Sequence, residues 1–309
     1  KMYIHSYAVN GSTHLFDAAV GQRFYSFGVT SMGAGKEGLV GYSTYNSETG
    51  PEFKVHFELT RDNYPDLGYT YSEVELFNQS TEHGPRAVAV FGNGYRPNGG
   101  SVVYLINAYN GDLLSKVILP GGSGGASSPA LEVSISGDGY QQLDRIYVGD
   151  QSGKLYRVTF DDNDLTKYDT QLLIDLGQPI TVRPTIAYPS GSQTPWVLVG
   201  TGRAILLSDA KSTATNGFYA IKDTEVQLDT GKALLTVDDL HRHSVIAHNV
   251  PESDERDDKF MVETTQGKSE KSVNGWYLEL DGIGERVIYP ARIQKGDYIL
   301  FSTYGVTLD

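Results

Sequence analysis

Residues 144–158 constrain the fold of this chain more than any other part of its sequence. Two short segments rich in β-branched and aromatic residues flank residues 149–153, a turn whose glycines adopt positive φ angles without steric cost. This pattern predicts a β-hairpin. Similar patterns occur at residues 102–119 and around residues 14–27. Hairpins that recur along a chain predict repeated β-blades.

The composition favours an all-β fold over a helical one. The chain has 309 residues with 35 Gly and 21 Tyr, and it lacks long stretches of helical periodicity. Odd and even positions of residues 102–106 are both apolar, so we expect neither face of that strand to contact water. A β-propeller satisfies this demand, and the length predicts about six or seven blades, with one incomplete at a terminus.

The charge balance limits the classes of partner. Lys and Arg number 25 against 38 Asp and Glu, which gives a net charge of −13 and disfavours nucleic acid and anionic lipid as partners. We expect no transmembrane segment, because no run approaches about 18 apolar residues. The absence of Cys excludes disulfides and thiol catalysis.

We expect one propeller domain over residues 1–309, interrupted by a polar insertion around residues 238–271. The insertion contains several histidines and the charged segment 252–259 but few apolar residues. Such a composition is typical of a long solvated loop between blades, and we expect residues 254–259 to be mobile.

Seven short motifs occur at residues 92–95, 144–157, 179–184, 200–203, 218–223, 275–277 and 284–287. Taken together and in order, they resemble the C-terminal propeller of the PilC/PilY family. Members of this family are large tip-associated adhesins and biogenesis factors of bacterial type IV pili, with a long N-terminal region, so the chain is expected to be part of a larger protein. The hairpin motif within residues 144–157 is also similar to those of quinoprotein blades, so the predicted blades are quinoprotein-like.

The resemblance implies a non-enzymatic protein at the bacterial cell surface or pilus tip. Its expected roles are to support pilus biogenesis, to oppose retraction and to present an adhesive surface. Its expected partners are pilins and minor pilins, together with host or abiotic surface ligands. The alternative is a quinoprotein dehydrogenase that uses pyrroloquinoline quinone, or another secreted binding propeller. The lack of Cys and the presence of only two Trp disfavour the dehydrogenase.

The family's calcium loop, Asp-x-Asp-x-Asp-x-x-x-Asp, has a degenerate counterpart here. Its first three acidic positions correspond to Ser134, Ser136 and Asp138, and its ninth position holds Gln142, with Asp144 two residues later. Calcium requires six to eight oxygen ligands, and their charge sets the affinity. We therefore expect calcium to bind weakly or not at all, and an Asp-Gly turn without metal is the simpler interpretation.

Other polar segments fit known kinds of site less well. Residues 161–164 offer oxygens to a cation but are typical of a hairpin tip. His241 and His243 share a face of an extended chain and His248 follows, which suits zinc or copper. No fourth ligand is evident, and a solvated loop is the simpler interpretation. Residues 33–36 do not complete a phosphate-binding loop. We interpret residues 120–129 as a flexible loop, and we find no nucleophile elbow.

The candidate binding surface is tyrosine-rich. Tyr64, Tyr69 and Tyr71 lie close together in the sequence, and tyrosine is enriched at protein interfaces because it offers a large contact area with a polar group. Packing between blades is the competing and favoured interpretation for these side chains.

Overall fold

The computed structural model describes residues 9–20, 23–47, 50–161, 163–189, 191–228, 232–243, 245–249, 260–264, 274–294 and 298–305. Nearly all of its regular secondary structure is β-strand, and two short 3₁₀ helices lie at Leu207–Lys211 and Val237–Asp239. This confirms the predicted all-β class. In the part of the chain that is described, no helix is long and apolar enough to span a membrane.

Sixteen of the described strands pair antiparallel in four groups of four, which we call units. Units 2 and 3 are joined within one nine-stranded sheet. Unit 1 contains β1 (Thr13–Val20), β2 (Arg23–Ser31), β3 (Gly38–Ser47) and β4 (Gly50–Thr60). Unit 2 contains β5 (Glu75–Gln79), β6 (Arg86–Gly92), β7 (Val102–Asn107) and β8 (Leu113–Ile118). Unit 3 contains β9 (Ala130–Ile135), β10 (Gln141–Gly149), β11 (Lys154–Asp161) and β12 (Asp164–Asp175).

Unit 4 is interrupted between its third and fourth strands. Its first three strands are β13 (Thr185–Ala187), β14 (Trp196–Gly200) and β15 (Gly217–Lys222). The interruption contains β16 (Ala233–Leu235), β17 (His241–His243), β18 (Val245–Asn249) and β19 (Phe260–Thr264). The fourth strand, β20 (Gly275–Glu279), follows, and the hairpin β21 (Arg292–Gln294) and β22 (Tyr298–Leu300) comes last.

Hydrophobic cores lie between successive units, and strand β7 contributes side chains to two of these cores. In β7, Val103 and Leu105 pack between units 2 and 3, whereas Val102, Tyr104 and Ile106 pack between units 1 and 2. Both faces of this strand are therefore buried, as its continuous apolar sequence predicts. A third core lies between units 3 and 4, and a fourth covers the outer face of unit 4.

The hairpin predicted at residues 144–158 is formed by β10 and β11, with Gly149 opposite Leu155. Ile146, Val148, Leu155 and Val158 are completely buried. Ile146 and Val158 face unit 2, while Leu155 faces unit 4. The prediction that these side chains pack between neighbouring sheets is confirmed.

The start of the predicted insertion belongs to the fold. Leu240 is buried in the core between units 3 and 4, and β17 pairs in parallel with β20. The expected solvated loop is therefore wrong for residues 240–243, because one buried leucine and a ladder to a neighbouring strand anchor them. Residues 254–259 lie outside the described residues.

Candidate functional site

Units 2, 3 and 4 share one arrangement where their second strand ends, and we call these three places the junctions. Gly92, Gly149 and Gly200 end the second strands. A Cβ atom at any of these glycines would overlap with the segment that follows the last strand of the same unit. Only glycine allows such a close approach. The residues that press against the three glycines are Ser127, Ile180 and Val287.

A buried polar residue follows each junction glycine. Asn93, Asp150 and Thr201 are completely buried, and each accepts hydrogen bonds from backbone N–H groups. Asn93 Oδ1 accepts from the amides of Val102 at 3.1 Å and Ala126 at 2.7 Å. A buried polar group is favourable only when it is bonded in this way.

Asp150 is the most extensively bonded of the three. Its Oδ1 accepts from the amides of Ser152 at 2.9 Å and Lys154 at 3.0 Å, and from the Ser152 hydroxyl at 2.8 Å. Its Oδ2 accepts from the Ser101 hydroxyl at 3.0 Å and the Ser123 amide at 2.9 Å. The carboxylate thus closes its own turn and fixes a segment of unit 2, which is a structural role.

Backbone bonds between successive segments complete the junctions. The amide of Gly94 donates to Ala126 at 3.0 Å, and that of Ile180 donates to Asp150 at 2.9 Å. The motifs at residues 92–95, 144–157 and 200–203 each contain a junction glycine and the buried polar residue that follows it. Their similarity therefore reflects a shared structural role.

The glycine-rich segment 120–129 differs from the sequence interpretation. Residues 124–129 are buried at the junction between units 2 and 3, and the amide of Arg96 donates to Gly124 at 2.7 Å. Gly125 has a φ of +101°, and a Cβ there would overlap with the Gly94 carbonyl. Glycine serves close packing here, so the interpretation as a flexible loop is wrong for residues 124–129.

Asp138 lies at the tip of the β9–β10 hairpin, where it stabilises a turn. Its carboxylate accepts hydrogen bonds from the Ser136 and Ser80 hydroxyls and from the Tyr140 amide at 3.1 Å. Hydrogen bonds from Ser136 and Ser80 lower the pKa of Asp138 below its ordinary 3.8. The Ser80 and Ser136 hydroxyls thus donate to the same carboxylate oxygens that would bind a cation, so they compete with metal binding.

Asp144 lies further along β10, at an irregularity in the pairing with β9 between Leu143 and Arg145. Its Oδ1 accepts a hydrogen bond from Ser134 Oγ at 3.0 Å. The four candidate ligands therefore form two separate hydrogen-bonded pairs. Within the described ranges, no group of three or more His, Asp or Glu side chains is arranged to hold a metal ion.

The second candidate cation segment lies beside the first. An open cleft of about 550 Å³ is lined by the β5–β6 turn and by residues 163–166. Asn163 Nδ2 donates to the Ser80 carbonyl at 2.8 Å, while the Ser80 hydroxyl donates to Asp138. The tips of the β9–β10 and β11–β12 hairpins, which are separate in the sequence, are thus both bonded to Ser80.

The three candidate tyrosines have different environments. Tyr64 is only 7% exposed, and its hydroxyl donates to the Gly111 carbonyl at 2.8 Å. Burial, together with Asp112, raises its pKa to about 12. Tyr64 is therefore a core residue, and its assignment to a binding surface is wrong. Tyr71 is half-buried, whereas Tyr69 is 42% exposed.

Tyr69, Tyr95 and Arg203 lie next to one another, and we call them the Tyr95 patch. Tyr69 is exposed, whereas Tyr95 and Arg203 are half-buried. Tyr69 and Tyr95 exchange backbone hydrogen bonds of 2.9 and 2.8 Å. The Arg203 guanidinium lies 5.4 Å from the centroid of the Tyr95 ring. Tyrosine and arginine dominate the binding energy of many protein interfaces. Tyr95 and Arg203 occur in motifs 92–95 and 200–203, but the sequence gives no reason to place them together.

Arg203 also belongs to a rigid loop beside this patch. Its Nε donates to both carboxylate oxygens of Asp209 at 3.1 and 3.0 Å. Burial alone would raise the pKa of Asp209, but hydrogen bonds from Arg203 and from backbone amides outweigh it and lower the pKa below 3.8. The buried Arg286 donates to the carbonyls of Arg203 at 2.6 Å and Asp209 at 2.7 Å. The loop presents Leu207, which is 96% exposed.

Comparison with known proteins gives relatives along most of the chain. It is 27% identical over 99% of its length to the type IV pilus biogenesis factor PilY1 homolog of Xylella fastidiosa. It is 26% identical over 72% of its length to the type IV pilus biogenesis factor PilY1 of Pseudomonas aeruginosa. The chain covers 22% and 21% of these two relatives. No family model matches it.

A solved structure establishes the architecture. The C-terminal domain of Pseudomonas aeruginosa PilY1 superposes with a TM-score of 0.74 at 21% identity, over 96% of this chain and 68% of that domain. The predicted β-propeller class is thereby confirmed. The resemblance to the PilC/PilY family that the seven motifs carry is confirmed as well: this chain is similar in sequence to the PilY1 type IV pilus biogenesis factors and has the fold of the C-terminal domain of Pseudomonas aeruginosa PilY1.

Proposed function

We propose that this chain is the propeller part of a type IV pilus-associated protein that supports pilus biogenesis by binding, without catalysis. The observation that carries the proposal is its similarity to PilY1 proteins over 72–99% of its length. In this proposal the protein acts at the cell surface, at the pilus tip, where it contacts pilins and minor pilins. Opposition to retraction and adhesion to host or abiotic surfaces complete the proposed role.

The test of the biogenesis role is a replacement in a relative. In Pseudomonas aeruginosa, the matching C-terminal segment of PilY1 is exchanged for this chain, and surface pili are counted. We expect pili above the level of a strain that lacks the segment. A matched exchange with the Asp150→Ala chain, which disrupts a junction, should give fewer pili. Equal counts for the intact exchange and the strain without the segment would contradict the proposal.

The Tyr95 patch is the proposed contact surface. Its tyrosines supply large side chains that lose little conformational entropy on binding, and its arginine supplies a planar charged group. The junction bonds and the Arg203–Asp209 pair hold these side chains before a partner arrives, which favours affinity.

Binding of the purified chain to purified minor pilins tests this surface. We expect Tyr95→Ala to weaken binding about tenfold or more, as loss of an interface hot spot does, with an unchanged melting temperature. Tyr298→Ala is the matched control, because Tyr298 is 69% exposed and lies on β22 outside the patch. Equal losses in both variants would exclude the patch as the contact surface.

The non-catalytic part of the proposal has its own assay. The chain is incubated with pyrroloquinoline quinone, calcium, an alcohol substrate and a redox dye. We expect no dye reduction above that of a heat-denatured sample. Sustained turnover that depends on the folded chain would support the quinoprotein alternative instead.

A further inference from the structure

The histidine pair of β17 is held in a defined geometry on an ordered strand. The imidazole rings of His241 and His243 lie with their centroids 4.9 Å apart and their planes at 89°. Alternate residues of a strand point to the same face, and the parallel ladder places His241 beside Trp276 and His243 beside Leu278. The His243 ring lies 5.3 Å from that of Trp276.

Several contacts fix this pair before any ligand binds. Leu240, the residue before β17, is buried in the core between units 3 and 4. Arg242 lies on the same face as Leu240, and its Nη2 lies 3.2 Å from Glu279 Oε2. Both histidines are half-buried on the opposite face. The strand is therefore anchored on the face opposite the two rings, and the ladder to β20 fixes its position.

The spacing of the rings matches two ligands on one metal ion. With metal–nitrogen bonds of about 2.0–2.1 Å, two imidazoles that share an ion in square-planar or tetrahedral geometry have centroids roughly 4.5–5.2 Å apart. The observed 4.9 Å falls within this range. Imidazole nitrogen suits zinc, copper and nickel, whereas calcium prefers oxygen.

We propose that His241 and His243 form a two-histidine binding site for a divalent transition-metal ion at the edge of unit 4. Within the described ranges no third His, Asp or Glu completes the set, so water or a group carried by a binding partner occupies the other coordination positions. The site is separate from the Asp138 turn and uses a different chemistry. An edge-to-face ring contact without metal is the competing explanation.

Zinc titration of the untagged chain by isothermal calorimetry tests the proposal. We expect one zinc ion per chain, and we expect affinity to fall about tenfold or more in His241→Phe and His243→Phe, since even outer-shell changes weaken metal sites by that amount. Phenylalanine retains the ring contacts but removes the nitrogen ligands, so packing alone does not explain such a loss. Calcium should not compete.

Two matched controls complete the experiment. His83→Phe changes an exposed histidine in the β5–β6 turn, and Asp138→Ala removes the carboxylate of the β9–β10 turn. Both should bind zinc as the original chain does. The proposal is overturned if the original chain binds no zinc at millimolar concentration, or if both β17 variants retain full affinity.

Discussion

At the scale of single residues, buried polar side chains determine how the units connect. Asn93, Asp150 and Thr201 are completely buried, although Asn and Asp are residue types usually found at the surface. The sequence predicts Asp150 as a turn residue, which it is. Its burial follows from contacts with Ser101 and Ser123, which are distant in sequence and leave no local pattern.

Replacing Asp150 by alanine should be strongly destabilising. The change leaves the amides of Ser123, Ser152 and Lys154 without their acceptor, and we expect a loss of about 3–5 kcal/mol in the free energy of unfolding. Urea unfolding followed by circular dichroism measures it. Asp62→Ala, at an exposed position, should change stability by no more than about 0.5 kcal/mol. Similar values for the two variants would refute the structural role of Asp150.

The Arg203–Asp209 pair predicts a dependence of stability on pH. Because the pKa of Asp209 is lowered below 3.8 in the folded chain, the unfolded chain takes up the proton more readily. The stabilisation is therefore present above the ordinary pKa and is lost as the pH falls through the lowered one. Urea unfolding at pH 7 and pH 3 should show a smaller difference for Asp209→Asn than for the original chain. An identical difference would show that the pair does not contribute.

At the scale of elements, hairpins are predictable and their surroundings are not. The β10–β11 hairpin follows from local turn chemistry and alternating apolar residues. The burial of residues 124–129 and the pairing of β17 with β20 depend on segments that arrive from elsewhere in the chain. A glycine-rich or histidine-rich segment can lie in a solvated loop or in a close packing contact. Its composition alone does not distinguish the two.

The β9–β10 turn carries the calcium prediction. With serines in two positions of the family's acidic set, we propose a dissociation constant no tighter than about 10⁻⁴ M, so 1 mM calcium should add at most about 1.4 kcal/mol to the unfolding free energy. A micromolar site would add about 4 kcal/mol. Thermal melts with calcium and with a chelator, on the original chain and on Asp138→Ala, distinguish the two. A large drop with chelator that Asp138→Ala abolishes would contradict the weak-site prediction.

At the scale of the whole molecule, the described residues form four four-stranded units, fewer than the about six or seven blades expected from chain length. Unit 4 explains much of the difference, because it extends from β13 to β20 and contains four further strands before its last one. A count based on length assumes a constant number of residues per blade. The order of the hairpins and an insertion around residues 238–271 were predictable, whereas the position of the insertion inside a unit, between its third and fourth strands, was not.

The junctions predict that the units unfold together. Each shares a core with its neighbour, and backbone bonds connect successive units, so opening one unit exposes apolar surface of the next. Trp196 and Trp276 both lie in unit 4, so tryptophan fluorescence reports on that unit, while far-ultraviolet circular dichroism reports on all strands. We expect the two probes to give the same urea midpoint.

A variant at one junction provides the decisive comparison for this prediction. Gly125→Ala places a Cβ against the Gly94 carbonyl at a φ of +101°, between units 2 and 3 and far along the chain from the tryptophans. If the molecule is one cooperative domain, this change reduces the free energy of unfolding by about 3 kcal/mol. Both probes then show the same decrease in the urea midpoint. Gly100→Ala, with open space around its Cβ, should leave both midpoints unchanged. A tryptophan transition that does not move with the circular dichroism transition in Gly125→Ala would show that unit 4 folds independently, and that the junctions align the units without coupling their stability.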